Sequence, residues 1–376
     1  MDILITNIGQ IATPLGRLPD ETRRSYCLDV TRSADLLVRN GRITHVPYES
    51  RSEPIHTVDA DGGVLIPGLI DPFWVWPDRP PWLTEDADGA LVGLDRVQWA
   101  ERLLMRAVRH GVTTMEVKCA HTQCDELLAM GHLALQQPRV IGSLMTSLPT
   151  QSEERNRLVS SLIGELIPEI RQRRLAAFCD IGWGSHAGSL TEANAVLRAA
   201  LGAGLRPKIH IETATTERDA AELALSLGVA SVECGTPLAA ELALDLARNH
   251  VMPVYLPVMR DEQEPRLIDV EPLLTQGLPV ALGSGSGWHG RQARSMWSVL
   301  ASAMNRMNMT LAEAITACTL NNARALEIAH ETGSIEEGKR ADLVLLDLHD
   351  YREIEATPDA PAVSWVMVNG VIAYAP

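Results

Sequence analysis

A chain of 376 residues, 46% hydrophobic and 22% charged, has the composition of a globular protein with a sizeable core and enough length for one barrel plus a smaller accessory domain. Its formal charge of −15 is spread along the sequence, which argues against a nucleic-acid partner, and no apolar run reaches the roughly 18 residues of a membrane span. Six cysteines (Cys27, Cys119, Cys124, Cys179, Cys234, Cys318) without CxxC spacing, and a first stretch lacking the pattern of a secretory leader, point to a reduced, cytoplasmic protein.

In chain order, the first 60 or so residues read as short strands and turns: Ile3 to Ile5, Ala34 to Val38, a tight turn at Asn40-Gly41, then Ile43 to Val46. Eight apolar runs of strand length follow, at Val64 to Ile70, Thr113 to Val117, Val140 to Met145, Ala176 to Ile181, Pro207 to Ile211, Ala230 to Cys234, Met252 to Leu256 and Pro279 to Leu282. Stretches of helical period, such as Glu192 to Leu201, Glu217 to Leu227, Ala239 to Asn249 and Leu311 to Ala323, lie between or after them. Eight strand–helix repeats with right-handed crossovers close most economically into a barrel. The competing open, doubly wound sheet lacks a GxGxxG turn, since Gly283-Ser284-Gly285-Ser286-Gly287 follows the last strand. Strand patterns return at Ala341 to Leu346, Trp365 to Val368 and, after Asn369-Gly370, Val371 to Ala373. The reading is therefore an α/β protein: a (β/α)₈ TIM barrel over residues 64–334, with a small β-sandwich domain formed by both termini, residues 1–63 and 335–376.

Three stretches resemble the amidohydrolase superfamily, and within it the imidazolonepropionases: Leu65-Ile66-Pro67-Gly68-Leu69-Ile70-Asp71-Pro72, His110-Gly111-Val112-Thr113-Thr114-Met115-Glu116-Val117-Lys118, and Gly333-Ser334-Ile335-Glu336-Glu337-Gly338-Lys339-Arg340-Ala341-Asp342-Leu343-Val344. The resemblance implies an enzyme on the barrel fold, a small-molecule substrate and a homodimer. It also implies a metal held by His-x-His after the Asp-Pro of the first strand, a His on strand five, a His on strand six and an Asp after strand eight. Here Phe73-Trp74-Val75 stands at the first place, so carbon-only side chains occupy both ligand positions. His210 matches the strand-five ligand and Cys234 the strand-six one, and no Asp or Glu occurs between Val280 and Trp297. Two ligands are fewer than a catalytic zinc takes, so the expectation is no metal and no other cofactor.

Chemistry in a barrel sits at the carboxyl ends of its strands, which leaves few candidates. His210 is the central one, with Glu212, Cys234 and Lys118 assisting. Neighbouring strands would allow His210 and Cys234 to pair, and on its own strand Lys118 could form a salt bridge with Glu116. Phe73, Trp74, Trp76, Trp183 and Trp288 are expected to line an aromatic mouth suited to a planar ligand, with Arg79, His121 and His289 nearby. Arg79 lies near where the resemblance implies an Arg for a substrate carboxylate. Three functions remain open: metal-independent general acid/base chemistry on a small planar nitrogen compound (ring closure or opening, isomerisation or elimination), a non-catalytic ligand-binding or partner-supporting descendant, and C–N hydrolysis with Cys234 as nucleophile.

Overall fold

Alternation of apolar and polar side chains sorts the strands into two sheets, as a computed structural model of the chain shows. It describes residues 2–15, 27–44, 56–76, 96–120, 138–184, 189–212, 216–235, 238–257, 268–288, 294–358 and 361–376. The terminal sheet contains β1 (Ile3–Pro14), β2 (Leu28–Arg39), β3 (Arg42–Thr44), β4 (His56–Asp59) and β5 (Val64–Pro67) from one end of the chain, and β14 (Leu343–Leu346), β15 (Val363–Val368) and β16 (Val371–Tyr374) from the other. Its order is β16-β15-β14-β5-β1-β2-β3, with β4 beside β1. Period-two alternation gives this sheet two apolar faces. Leu65, Leu343, Leu345 and Met367 join Ile5, Ile8 and Val38 in its own core, whereas Ile66, Val344, Val366 and Val368 pack on the barrel.

The second sheet runs β6 (Leu69–Val75), β7 (Val112–Ala120), β8 (Arg139–Ser147), β9 (Phe178–Trp183), β10 (Arg206–Ile211), β11 (Ser231–Cys234), β12 (Met252–Tyr255) and β13 (Ala281–Leu282), each parallel to the next. It closes through a bridge between Trp74 and Ser286, where Val75 N–H donates to the Ser286 carbonyl at 2.8 Å and Gly285 N–H to that of Phe73 at 3.1 Å. Gly287 makes that approach possible: at φ 80° it passes so near the Val75 carbonyl that a Cβ would sit 1.9 Å from the oxygen. The sequence expectation of one strand from Val64 to Ile70 is corrected here. Val64–Pro67 belongs to the terminal sheet, and the first barrel strand begins at Leu69 and continues through Phe73 and Val75. The reason is that the whole stretch is buried on both faces, so hydrophobicity gives no sign of the change of sheet.

Helices Leu190–Gly202, Glu217–Leu227 and Ala240–Arg248 cover the outside of the barrel, each burying an apolar stripe. The first starts on a capping box between Ser189 and Glu192, and the second ends on Gly228 in the left-handed region. Late in the chain, Asn322 ties the last strand to the first: its amide donates to the Ile70 and Leu282 carbonyls and accepts from Leu282 N–H. The barrel floor is apolar, built from Ile70, Ile141, Phe178 and Ala230 against Ala323, Leu326 and Ile328.

Candidate active site

Above that floor the interior changes character, because β7 and β10 carry ionisable side chains at alternate positions and β9 and β11 one inward carboxylate each. Parallel register puts paired residues on the same side of the sheet. Lys208 pairs with Asp180, and His210 pairs with Gly182 on one side and Glu233 on the other. Glu116 and Lys118 follow the same alternation on β7, so six ionisable side chains converge inside the barrel, each essentially inaccessible to solvent.

Every charge there has an opposite neighbour. Lys118 Nζ lies 3.0 Å from Glu116 Oε1, 2.8 Å from Asp180 Oδ2 and 3.3 Å from Glu233 Oε2. Lys208 Nζ lies 2.5 Å from Glu116 Oε2 and 3.2 Å from Glu233 Oε1, which also accepts from Ser231 Oγ at 2.8 Å. The remaining oxygen, Asp180 Oδ1, meets His210 Nδ1 at 3.0 Å. Burial works against the charged forms, yet the three carboxylates hold the Lys118 ammonium above the ordinary lysine range. In the same way His210 and Lys118 outweigh burial and keep Asp180 below the usual carboxylate range. Burial pushes Glu233 up, against the pull of both lysines.

His210 is 1% exposed. Burial alone would lower its pKa, but Asp180 outweighs burial and carries it up to about 9, so the ring is an imidazolium at neutral pH. With Nδ1 held by Asp180, Nε2 faces the mouth, 3.7 Å from Glu212 Oε1. Glu212, two residues on, falls on the same side and keeps 29% of its side chain exposed. Ser147 Oγ donates to Glu212 Oε1 at 3.2 Å. Gly182 leaves room for this meeting, since a Cβ there would lie 2.4 Å from Ser147 Oγ, 2.6 Å from His210 Nε2 and 2.8 Å from Glu212 Oε1. Above the group opens a cavity of about 330 Å³ bounded by Ser147, Pro149, Thr150, Gly182, Gly184 and Glu212 among others. The arrangement can hold a proton at His210 Nε2, beside the cavity-lining Gly182 and Glu212, for exchange with a bound molecule.

The opposite wall is hydrocarbon and aromatic. Phe73 and Val75 point inward with Val254, Leu256, Ala281 and Trp288. Phe73 lies 5.2 Å from Trp288, and the His210 ring stands edge-on to both, at 6.0 and 5.3 Å between centroids. The expected aromatic mouth is thus smaller than the sequence reading. Trp74 and Trp76, 5.8 Å apart, and Trp183 face the layer between barrel and helices, because alternation sends them outward. Cys234 is corrected likewise. It pairs in register with Ile211 rather than His210, and lies in the outer apolar layer. Burial, with Glu233 and Glu217 adding to it, holds its thiol well above the ordinary range, the reverse of an activated nucleophile. Arg79, His121 and His289 lie outside the described residues. Lys208, Glu233 and Ser147 were missed in the sequence. Lys208 carries a signal that alternation would have given, an ionisable side chain two residues before His210 within an otherwise apolar strand, and Glu233 is a lone charge in an apolar strand, whereas Ser147 carries none.

The model of the amidohydrolase family matches residues 64–373. The chain belongs to the amidohydrolase family. Among curated amidohydrolase relatives, it is 29% identical to imidazolonepropionase of Caldanaerobacter subterraneus subsp. tengcongensis over 92% of this chain and 91% of that protein. It is also 29% identical to imidazolonepropionase of Deinococcus radiodurans over 98% and 99% of the two chains. Among solved structures, guanine deaminase of E. coli superposes with a TM-score of 0.73 at 15% identity, covering 100% of this chain and 99% of that one, and a Xaa-Pro dipeptidase at 0.68 and 18%, covering 100% of both. Those two likenesses are of fold alone. No helix among the described residues is long and apolar enough to cross a membrane.

The metal that an amidohydrolase implies does not fit the residues present. Phe73 and Val75 face inward where two imidazoles would be needed and offer no electron pair. Among the described residues no three His, Cys, Asp or Glu side chains are disposed to hold an ion. The carboxylates that might have gathered round one are instead turned onto two ammonium groups.

Proposed function

We propose that this chain is a metal-independent enzyme that adds water to, or rearranges, a small planar nitrogen-containing ring, with His210 and Glu212 exchanging protons with the substrate. The names of its relatives, imidazolonepropionases, support a small nitrogen heterocycle as substrate. The observation that carries the mechanism is the His210–Glu212 contact beneath the cavity, with Asp180 behind it.

For ring opening, Glu212 takes a proton from water as its oxygen bonds to the ring carbonyl carbon. The His210 imidazolium gives its Nε2 proton to the ring nitrogen as the C–N bond breaks, and Glu212 then returns the water's proton to His210. One water is consumed and both side chains end as they began. Isomerisation or ring closure would use the same pair with different proton destinations. Two positively charged lysines below keep the imidazolium balanced against three carboxylates, and the apolar wall strengthens each of these interactions.

The test is turnover of a panel of imidazolones, cyclic ureas and lactams, followed by the ultraviolet change on ring opening, in chelator-treated protein. His210→Ala should lower turnover at least ~100-fold and Glu212→Gln by a similar factor, the scale of general acid/base catalysis. Full activity in His210→Ala would sink the reading. Loss of activity on chelation, restored by zinc, would sink its metal-free part.

A further inference from the structure

We infer that Ser147 is a covalent nucleophile of this site, its hydroxyl attacking the ring carbonyl with Glu212 as base before water does. The inference rests on the His210–Glu212 reading above and deepens it: the same two side chains move the protons, and water enters second, at an ester.

Three adjacent strands bring the parts together. Ser147 pairs with Gly182, and Gly182 with His210, in one register across β8, β9 and β10, so the three residues share one level and one side of the sheet. The middle one has no side chain, and Ser147 Oγ and His210 Nε2 border the space a Cβ would fill, 2.4 and 2.6 Å from it. Glu212 Oε1 stands at the same gap, accepting from Ser147 Oγ at 3.2 Å and lying 3.7 Å from His210 Nε2. A hydroxyl, a carboxylate base and an imidazolium acid thus surround one point on the wall of the cavity of about 330 Å³.

Ser147 is exposed on that wall, while the chain just beyond it is anchored. The Arg155 guanidinium donates to the Pro149 and Thr150 carbonyls at 3.0 and 2.6 Å, and its Nε donates to Glu192 Oε2 at 2.6 Å. An accessible hydroxyl on a fixed strand end loses little freedom when it reacts.

In the first step the Ser147 proton passes to Glu212 as Oγ bonds to the carbonyl carbon, and the C–N bond breaks as His210 gives its Nε2 proton to the ring nitrogen. Glu212 then returns its proton to His210. In the second step water gives a proton to Glu212 and its oxygen bonds to the same carbon. The ester C–O bond breaks, and Ser147 Oγ recovers its proton from Glu212. One water is consumed. Because the nitrogen stays attached to the opened ring, the ester intermediate carries the whole mass of the substrate.

The experiment compares wild type, Ser147→Ala and Glu212→Gln. Each is mixed with the panel ring that wild type turns over fastest, quenched in acid within one turnover, and examined by intact-protein and peptide mass spectrometry. Wild type should gain the full substrate mass on the peptide holding Ser147, and hydroxylamine should release it. Ser147→Ala should gain none and lose at least ~100-fold in kcat with KM moved far less, while keeping its Tm, since the side chain is exposed. A second readout uses no ring substrate: an ethyl fluorophosphonate, whose phosphorus takes Oγ as fluoride leaves, should label Ser147 in wild type and not in Glu212→Gln. Ser147→Ala with turnover within about threefold of wild type refutes the inference and leaves the His210–Glu212 reading standing. A wild type that shows neither adduct nor label does the same. If no ring of the panel is turned over, the substrate reading fails by itself and the label still decides. Its presence in wild type and loss in Glu212→Gln supports the nucleophile, its absence from both refutes it, and equal labelling of both refutes Glu212 as its base.

Discussion

The interior of this barrel has two unlike sides. From β7 round to β11 the inward positions include Glu116, Lys118, Asp180, Lys208, His210 and Glu233, all buried and all paired with opposite charge, with the uncharged Ser143 and Met145 of β8 among them. From β12 through β13 to β6 they are Val254, Leu256, Ala281, Phe73 and Val75, without a polar atom beyond the backbone. Hydrocarbon on one side lowers the local dielectric felt on the other, so the ion pairs are stronger and the cost of breaking any one is larger. His210 stands on the seam, bonded to Asp180 and edge-on to Phe73 and Trp288. The lesson is that the apolar wall and the proton-carrying ring belong to one device. The wall keeps water from the cluster, and the cluster holds the ring charged at its outer end.

The charged side is the more fragile. Asp180→Ala strands both Lys118 and His210 and should cost about 3–5 kcal/mol in urea unfolding, as removing one partner of a buried pair does. A loss below about 1 kcal/mol would mean that water reaches the cluster and that the contrast is false. A pH series tests the same side more gently. The folded-state pKa of His210, about 9, lies above the ordinary value near 6.5, so the stability it contributes is fully present below about pH 6.5 and declines as pH rises through 9. The expected decline is about 3 kcal/mol, absent in His210→Gln, and a flat profile for wild type would show that Asp180 does not hold the ring charged. The apolar side should yield least. Phe73→Leu keeps hydrocarbon in place and should cost about 1 kcal/mol, with no metal gained, because one ligand position alone cannot assemble a site. A larger loss would assign the Phe73 ring a direct part in holding the Lys118 ammonium, 4.7 Å away.

Fold and site were legible to different depths. Eight strand-length runs and the strand patterns at both ends sufficed for a barrel with a terminal sheet, because buried parallel strands leave continuous apolar runs whatever their function. The boundary at Gly68 was not legible, since Val64–Pro67 and Leu69–Val75 are equally apolar while serving different sheets. His210 and Glu212 stand out as polar residues at a strand end, and period two correctly separates Phe73 and Val75 from Trp74 and Trp76. The same rule extended across neighbouring strands depends on register, which no single strand carries. For that reason Cys234 was expected beside His210 when the residue there is Glu233, and the place of Lys208 between Glu116 and Glu233 was not foreseen.

The pairing of β5 with β14 has a consequence for how the molecule comes to exist. Val64 to Pro67 find their antiparallel partners in Leu343 to Leu346, and nearly the whole barrel lies between them in the chain. During synthesis the early strands β1 and β2 can pair as a local hairpin, but β5 must wait for residues made close to the end of translation. Such long-range closure is the slow, entropically expensive kind, so the terminal sheet is completed last, over a barrel already formed. Until then the edge of β5 that takes β14, and the side chain of Leu65 that packs with Leu343 and Leu345, lack their cover, and that interval is when the nascent chain is most open to aggregation.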